Sequence, residues 1–139
     1  MYRILVIEDT EEHRENLAEI LVLNGYEVNT AENGKVGVDK ALKERPDLII
    51  CDVMMPELDG FGVLQILSNN HKTADVPFLY LTARSEKDDF RRGMSLGADD
   101  YLTKPYDVAL LLQTIERRLR KNERLRKASA QHAPFEGFV

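Results

Sequence analysis

Short apolar runs alternate with amphipathic stretches along the chain, and the period of each stretch predicts its element. Residues 3 to 8 are mostly aliphatic up to Glu8-Asp9, the pattern of a buried strand. Thr10 stands where an N-cap is expected for a helix over residues 11 to 24, with His13 where a capping box prefers Glu. Leu17, Ile20, Leu21 and Leu23 give that helix an apolar face, and Asn24-Gly25 ends it. Residues 26 to 31 alternate as a second strand. Asn33-Gly34 then turns the chain into a helix over residues 35 to 44, using Val36, Val38, Ala41 and Leu42. Leu48-Ile49-Ile50-Cys51 is an unbroken apolar run before Asp52, as expected of a central parallel strand covered on both faces. A loop from Val53 to Gly60 leads to a helix over residues 61 to 69. Val76 to Leu81 predicts a fourth strand ending at Thr82, followed by a helix capped by Ser85 with Asp88 three positions on, and closed by Gly97. Tyr101-Leu102 is a short fifth strand, and a last helix runs from Tyr106 to about Lys127. Five strand–helix alternations predict an α/β fold with a parallel sheet.

Length and composition narrow this further. A chain of 139 residues suits one domain, and 43% hydrophobic with 31% charged residues is the balance of a soluble globular protein. No apolar run approaches the ~20 residues that span a bilayer. The run at residues 4 to 7 is too short for a signal peptide, so a cytoplasmic protein with no membrane partner is expected. The single cysteine, Cys51, excludes an internal disulfide and a multi-cysteine zinc site, and is expected as a buried strand residue. The net charge of -5 hides an asymmetry: residues 1 to 116 hold 22 acids and 12 bases, whereas residues 117 to 127 hold seven bases and one acid. An acidic body with a short basic helix is not expected to bind nucleic acid directly. The packing stripe of the last helix, Val108, Leu111, Leu112, Ile115 and Leu119, lapses before the basic run, which reads as a solvated extension. Residues 128 to 139 lose periodicity and carry Pro134 and Gly137, predicting a flexible tail or the start of a linker.

The candidate chemistry collects where ligands sit in open α/β sheets, beyond the carboxyl ends of the strands. Glu8 and Asp9 end the first strand, Asp52 the third and Thr82 the fourth, and Lys104 follows the fifth. Two carboxylates ~5 Å apart repel by roughly 3 kcal/mol at an effective dielectric of ~20, so three acids at one edge call for a cation. Oxygen-only ligands suit a hard ion, Mg2+ or Mn2+. A hydroxyl and an ammonium beside that ion suggest an anion, and phosphate fits. His13, His71 and His132 lack metal-ligand spacing and receive no role. Met55 reads as a core gap filler, Asp59-Gly60 as a turn and helix start, and Asp99-Asp100 as a solvated loop.

Four blocks in order carry a family resemblance: Ile7-Glu8-Asp9, Asp52 through Gly60, Leu81-Thr82-Ala83, and Gly97 through Pro105. Together they resemble the receiver domain of two-component response regulators, over residues 3 to about 122. The resemblance implies a flavodoxin-like (βα)5 three-layer sandwich with five parallel strands in order 2-1-3-4-5. Residues 1 to 122 would be the receiver, and residues 123 to 139 a helical extension and tail. It further implies that Asp52 accepts a phosphoryl group from the phosphohistidine of a sensor histidine kinase or histidine phosphotransfer protein. Asp9 matches a direct metal ligand, Glu8 its neighbour acting through water, and Met54 the residue that offers its backbone carbonyl to Mg2+ or Mn2+. Thr82 matches the switch hydroxyl, Tyr101 the switch aromatic, and Lys104 the lysine that pairs with the phosphoryl group. Ala83 matches the small residue beside that group, and Pro105 a proline after a cis peptide. The responding surface would be residues 86 to 119, serving a homodimer, an output domain or an effector. Met54 and Arg84 occupy positions that influence dephosphorylation rate in the family.

Three other readings compete with this signalling role. A Mg2+-dependent phosphatase of similar topology needs a second aspartate two positions after the nucleophile, where Met54 stands. A flavin binder needs a glycine-bearing first turn, whereas Glu8-Asp9-Thr10 is acidic. A docking module without chemistry would not need the acceptor, acids, hydroxyl and lysine together. The chain is therefore expected to be no enzyme toward external substrates and to catalyse only its own phosphorylation and dephosphorylation.

Overall fold

The structure, a computed structural model, describes residues 1–83 and 87–136; the side chains of residues 82, 87–90 and 129–136 fall outside it. Ten elements alternate: β1 (Arg3–Ile7), α1 (Glu11–Leu23), β2 (Glu27–Ala31), α2 (Gly34–Lys43), β3 (Leu48–Cys51), α3 (Gly60–Ser68), β4 (Phe78–Thr82), α4 (Lys87–Ser95), β5 (Asp100–Thr103) and α5 (Val108–Glu136). The five strands form one sheet in the order β2-β1-β3-β4-β5, every pair parallel. This is the expected flavodoxin-like (βα)5 arrangement.

The two-residue period of the strands divides the core. Ile4, Val6, Leu48, Ile50, Leu79 and Leu81 pack with Leu17 and Leu21 of α1 and Leu111, Ile115 and Leu119 of α5. Leu5, Ile7, Ile49, Cys51, Phe78 and Tyr80 pack on the opposite face with Val38 and Ala41 of α2 and Phe61, Val63, Leu64 and Leu67 of α3. A fully buried aliphatic side chain contributes roughly 1.5–3 kcal/mol, so both faces are needed to hold the sheet. The first face is wholly aliphatic in its sheet residues. The second carries an aromatic chain: Tyr80 meets Phe61, Phe78 and Tyr101 edge-on, at centroid distances of 5.3, 5.1 and 6.0 Å.

Several local expectations are corrected. Leu23 is exposed, because the inward face of α1 is carried by Leu17 and Leu21 and position 23 falls off that face. Val108 begins α5 and is also exposed. The Thr10 hydroxyl makes no capping bond, although its backbone is extended as an N-cap requires. Asn33 and Asp107 instead cap α2 and α5, accepting from Val36 N at 2.9 Å and Ala109 N at 2.8 Å. The helix α5 runs on to Glu136 rather than ending near Lys127. Ala128, Ala130 and Gln131 all favour helix, and this outweighs the lost apolar period. Asp99 is no solvated loop acid: its carboxylate accepts from Phe78 N at 2.7 Å, while its own N–H donates to Phe78 O. Asp100 pairs with Arg118 at 3.4 Å. The proposed Ser85 cap, Arg84 and the tail residue Gly137 lie outside the described residues.

Candidate phosphorylation and metal site

The sheet itself aligns the acids. The N–H of Asp52 donates to Ile7 O at 3.0 Å, and the N–H of Glu8 donates to Ala31 O at 3.0 Å. These bonds continue the parallel ladder one residue past each strand and fix the ends of β1 and β3 side by side. Oxygens of Glu8, Asp9 and Asp52 consequently lie within 4.8 Å of one another. Glu8 is buried, whereas Asp9 is exposed at the mouth.

Lys104 reaches into this cluster from the turn after β5. Its ammonium lies 3.5 Å from Asp52 Oδ2 and hydrogen-bonds Glu8 Oε1. The Lys104–Pro105 peptide is cis, as the resemblance implied. Met54, half exposed, donates its backbone N–H to Asp52 Oδ1 at 3.3 Å. Behind it the loop doubles back tightly. Glu57 adopts φ 68°, with Leu58 N donating to Pro56 O at 2.8 Å. Gly60 N donates to Val53 O at 2.9 Å, and Asp59 caps α3 by accepting from Gly62 N at 2.9 Å. Gly60 is required here by close approach: a Cβ would stand 2.9 Å from Val53 Cα and closer still to the Asp52 carbonyl. Asp59 and Gly60 thus act as the turn and helix start that the sequence suggested, and Met55 is buried as a core filler.

The donor set fits a hard divalent cation. All three side chains offer oxygen, and Glu8 Oε2 is buried with no hydrogen-bond partner among the described residues. Burial, reinforced by the Asp52 carboxyl and opposed by Lys104, pushes the Glu8 carboxyl up to about 7. A carboxylate this costly to ionise gains from a positive neighbour. Glu8, Asp9 and Asp52 are the residues placed to hold such an ion.

The remaining candidates frame the site. Thr82 ends β4 in register with Thr103, its side chain outside the described residues. Ala83 is exposed and lines the pocket mouth. Tyr101 is half-buried on β5, with its ring edge-on to Tyr80. Cys51 is fully buried, which raises its thiol well above the ordinary range. A cavity of about 750 Å3 opens beside the acids between α1 and the turn into α5, walled by Ile20, Leu81, Pro105 and Tyr106. His13, given no role by its spacing, joins the cluster: its Nδ1 lies 3.2 Å from Glu8 Oε1 and 3.0 Å from Lys104 Nζ. The available signal was its place three residues after Thr10, in the first turn beside the acidic strand end.

Comparison with known proteins agrees with this geometry. The family model described as response regulator receiver domain matches residues 4–116. The chain is 41% identical over 133 residues to the DNA-binding dual master transcriptional regulator RpaA of Synechocystis sp., covering 96% of this chain and 55% of that protein. It is 41% identical over 119 residues to the response regulator MprA of Mycolicibacterium vanbaalenii, covering 86% of this chain and 51% of that protein. The chain thus spans about half the length of these curated relatives. Among solved structures, the chemotaxis protein CheY4 of Vibrio cholerae superposes with a TM-score of 0.80 at 33% identity, covering 84% of this chain and 98% of that one. A CheY-like receiver domain protein from Methanospirillum hungatei superposes with a TM-score of 0.84 at 25% identity, covering 89% and 98%. The chain belongs to the response regulator receiver domain family of two-component signalling systems.

Proposed function

We propose that this receiver domain is a phosphorylation-controlled switch that takes a phosphoryl group from a phosphohistidine onto Asp52. The observation that supports it best is the convergence of the Glu8, Asp9 and Asp52 oxygens within 4.8 Å, with the Lys104 ammonium 3.5 Å from Asp52 Oδ2. An Asp52 carboxylate oxygen attacks phosphorus and a P–O bond forms. The P–N bond breaks, and its electron pair returns to the donor imidazole. This reaction asks mainly for alignment and charge neutralisation. Lys104 supplies part of that neutralisation from a fixed turn. Bound Mg2+ or Mn2+, held by Glu8, Asp9, Asp52 and the Met54 carbonyl, would neutralise the phosphoryl oxygens further. The catalysis is confined to the domain's own phosphorylation and dephosphorylation.

The new charge of about -2 on Asp52 biases a two-state surface. Thr82, Tyr101 and Lys104 lie on β4, β5 and the following turn, so that surface is α4-β5-α5. We assign it as the face that dimerises or meets an output domain or effector. Its kinase or phosphotransfer partner is met in the cytoplasm; among the described residues no helix is long and apolar enough to cross a membrane. Residues 1–122 act as the receiver, and residues 123–139 as an extension of α5.

Acetyl phosphate with Mg2+, followed by intact mass, tests the acceptor. The expected result is one added phosphoryl group in the native protein and none in Asp52→Asn. Equal labelling of Asp52→Asn would refute the assignment. Sedimentation of both forms tests the face: a shift toward dimer on phosphorylation is expected, and an unchanged monomer would remove that part.

A further inference from the structure

We infer that His13 is a positioning residue for Lys104 in the phosphoryl-transfer reaction, an inference that rests on the reading of Asp52 as acceptor. The cluster around the lysine assigns the role by donor arithmetic. An ammonium has three N–H donors and no lone pair. The Lys104 ammonium faces Glu8 Oε1, Asp52 Oδ2 at 3.5 Å and His13 Nδ1 at 3.0 Å, and across each of these contacts it can only donate. His13 Nδ1 must therefore present its lone pair to the lysine, with the ring hydrogen on Nε2. The 3.2 Å approach of Nδ1 to Glu8 Oε1 is then two acceptors gathered by one ammonium.

The arrangement matters because the other two acceptors have competing duties. Glu8 and Asp52 belong to the acid set that suits a cation, and Asp52 is the proposed attacking group. His13, on the first turn of α1, is not one of the three acids, so its lone pair does not compete for the cation. It can retain one Lys104 hydrogen while the other two turn to Asp52 and the incoming phosphoryl oxygens. Fixing a lysine side chain otherwise costs it rotamer freedom, and the charge-assisted hydrogen bond from the ammonium to His13 offsets part of that cost. The helix supports the geometry independently: Arg14 Nη1 donates to Glu8 O at 2.9 Å, tying α1 to the end of β1.

The experiment is the rate of Asp52 phosphorylation by acetyl phosphate at saturating Mg2+, followed by intact mass, in native protein, His13→Ala and His13→Asn. His13 is half exposed on a helix, so alanine should leave the fold intact, as far-ultraviolet circular dichroism would verify. Asparagine can place its Oδ1 near the position of Nδ1. His13→Ala is expected to be labelled three- to tenfold more slowly, with His13→Asn restored to within twofold of native. An alanine variant as fast as native, or an asparagine variant as slow as alanine, would overturn the inference. If native protein gains no phosphoryl group at all, the acceptor reading itself fails; normal labelling at Asp52 with no His13 effect removes only this inference.

Discussion

Strands β3 and β5 both deliver residues to the same pocket, yet they are built differently. All four residues of β3 are at most 1% exposed, and it lies between β1 and β4. All four residues of β5 are only partly buried, and it is an edge strand. β3 aims Asp52 at acids held by the backbone ladder. β5 carries Tyr101 and leads to Lys104, beside the α4 helix. Under the proposed function the contrast would divide the tasks: a fixed centre to hold the chemistry, and a less buried edge to rearrange in response to it. An edge strand has fewer neighbours to displace, so a new charge at Asp52 can move it at lower cost.

The largest test of this division removes the link between the halves. Lys104→Met should slow Asp52 labelling by about 10²-fold, the scale expected when a preorganised charge-stabilising donor is lost. A rate within threefold of native would mean that the lysine plays no part in transfer. Paired glycine substitutions come next. Gly60→Ala drives a Cβ against the backbone of Asp52 and Val53, which cannot yield. Gly93→Ala meets the ring edge of Tyr80 at 2.7 Å, where a helix on the looser side can shift. Urea denaturation should show Gly60→Ala losing about 1–3 kcal/mol and Gly93→Ala losing less. The reverse order would dissolve the contrast.

A pH dependence belongs to the fixed centre. The folded Glu8 carboxyl is raised from 4.5 to about 7, so the folded state binds more protons than the unfolded state between those values. The contribution of this group therefore makes metal-free protein less stable as pH rises from 4.5 to 7, and Glu8→Gln should flatten that part of the profile. Denaturant midpoints across the range, compared between native and variant, read this directly. The smallest effect is expected at the edge: Arg118→Ala, which breaks the pair with Asp100, should cost no more than about 1 kcal/mol in the same denaturation assay.

Much of the fixed centre was legible in the sequence. The continuous run Leu48-Ile49-Ile50-Cys51 read as a doubly covered strand, and that placed Asp52 at its end. The same logic located Glu8 and Asp9. The edge was less legible because β5 is short and half-buried, so only Tyr101-Leu102 stood out from a four-residue strand. Asp99 was misread because a carboxylate accepting a backbone N–H from another strand leaves no local pattern. His13 was missed for a related reason: its partner, Lys104, is 91 residues away, and only the fold joins them. The extent of α5 escaped because helix propensity carries it past the last packing residue, where apolar period gives no signal.

The central claim is that Asp52 is the phosphoacceptor at this acidic strand end. Borohydride converts an aspartyl phosphate to homoserine, so reduction after acetyl phosphate treatment, followed by peptide mass mapping, marks the acceptor itself. Homoserine at position 52, dependent on Mg2+, is the expected result. Homoserine at Asp9 or Asp59 with position 52 unchanged would contradict the account.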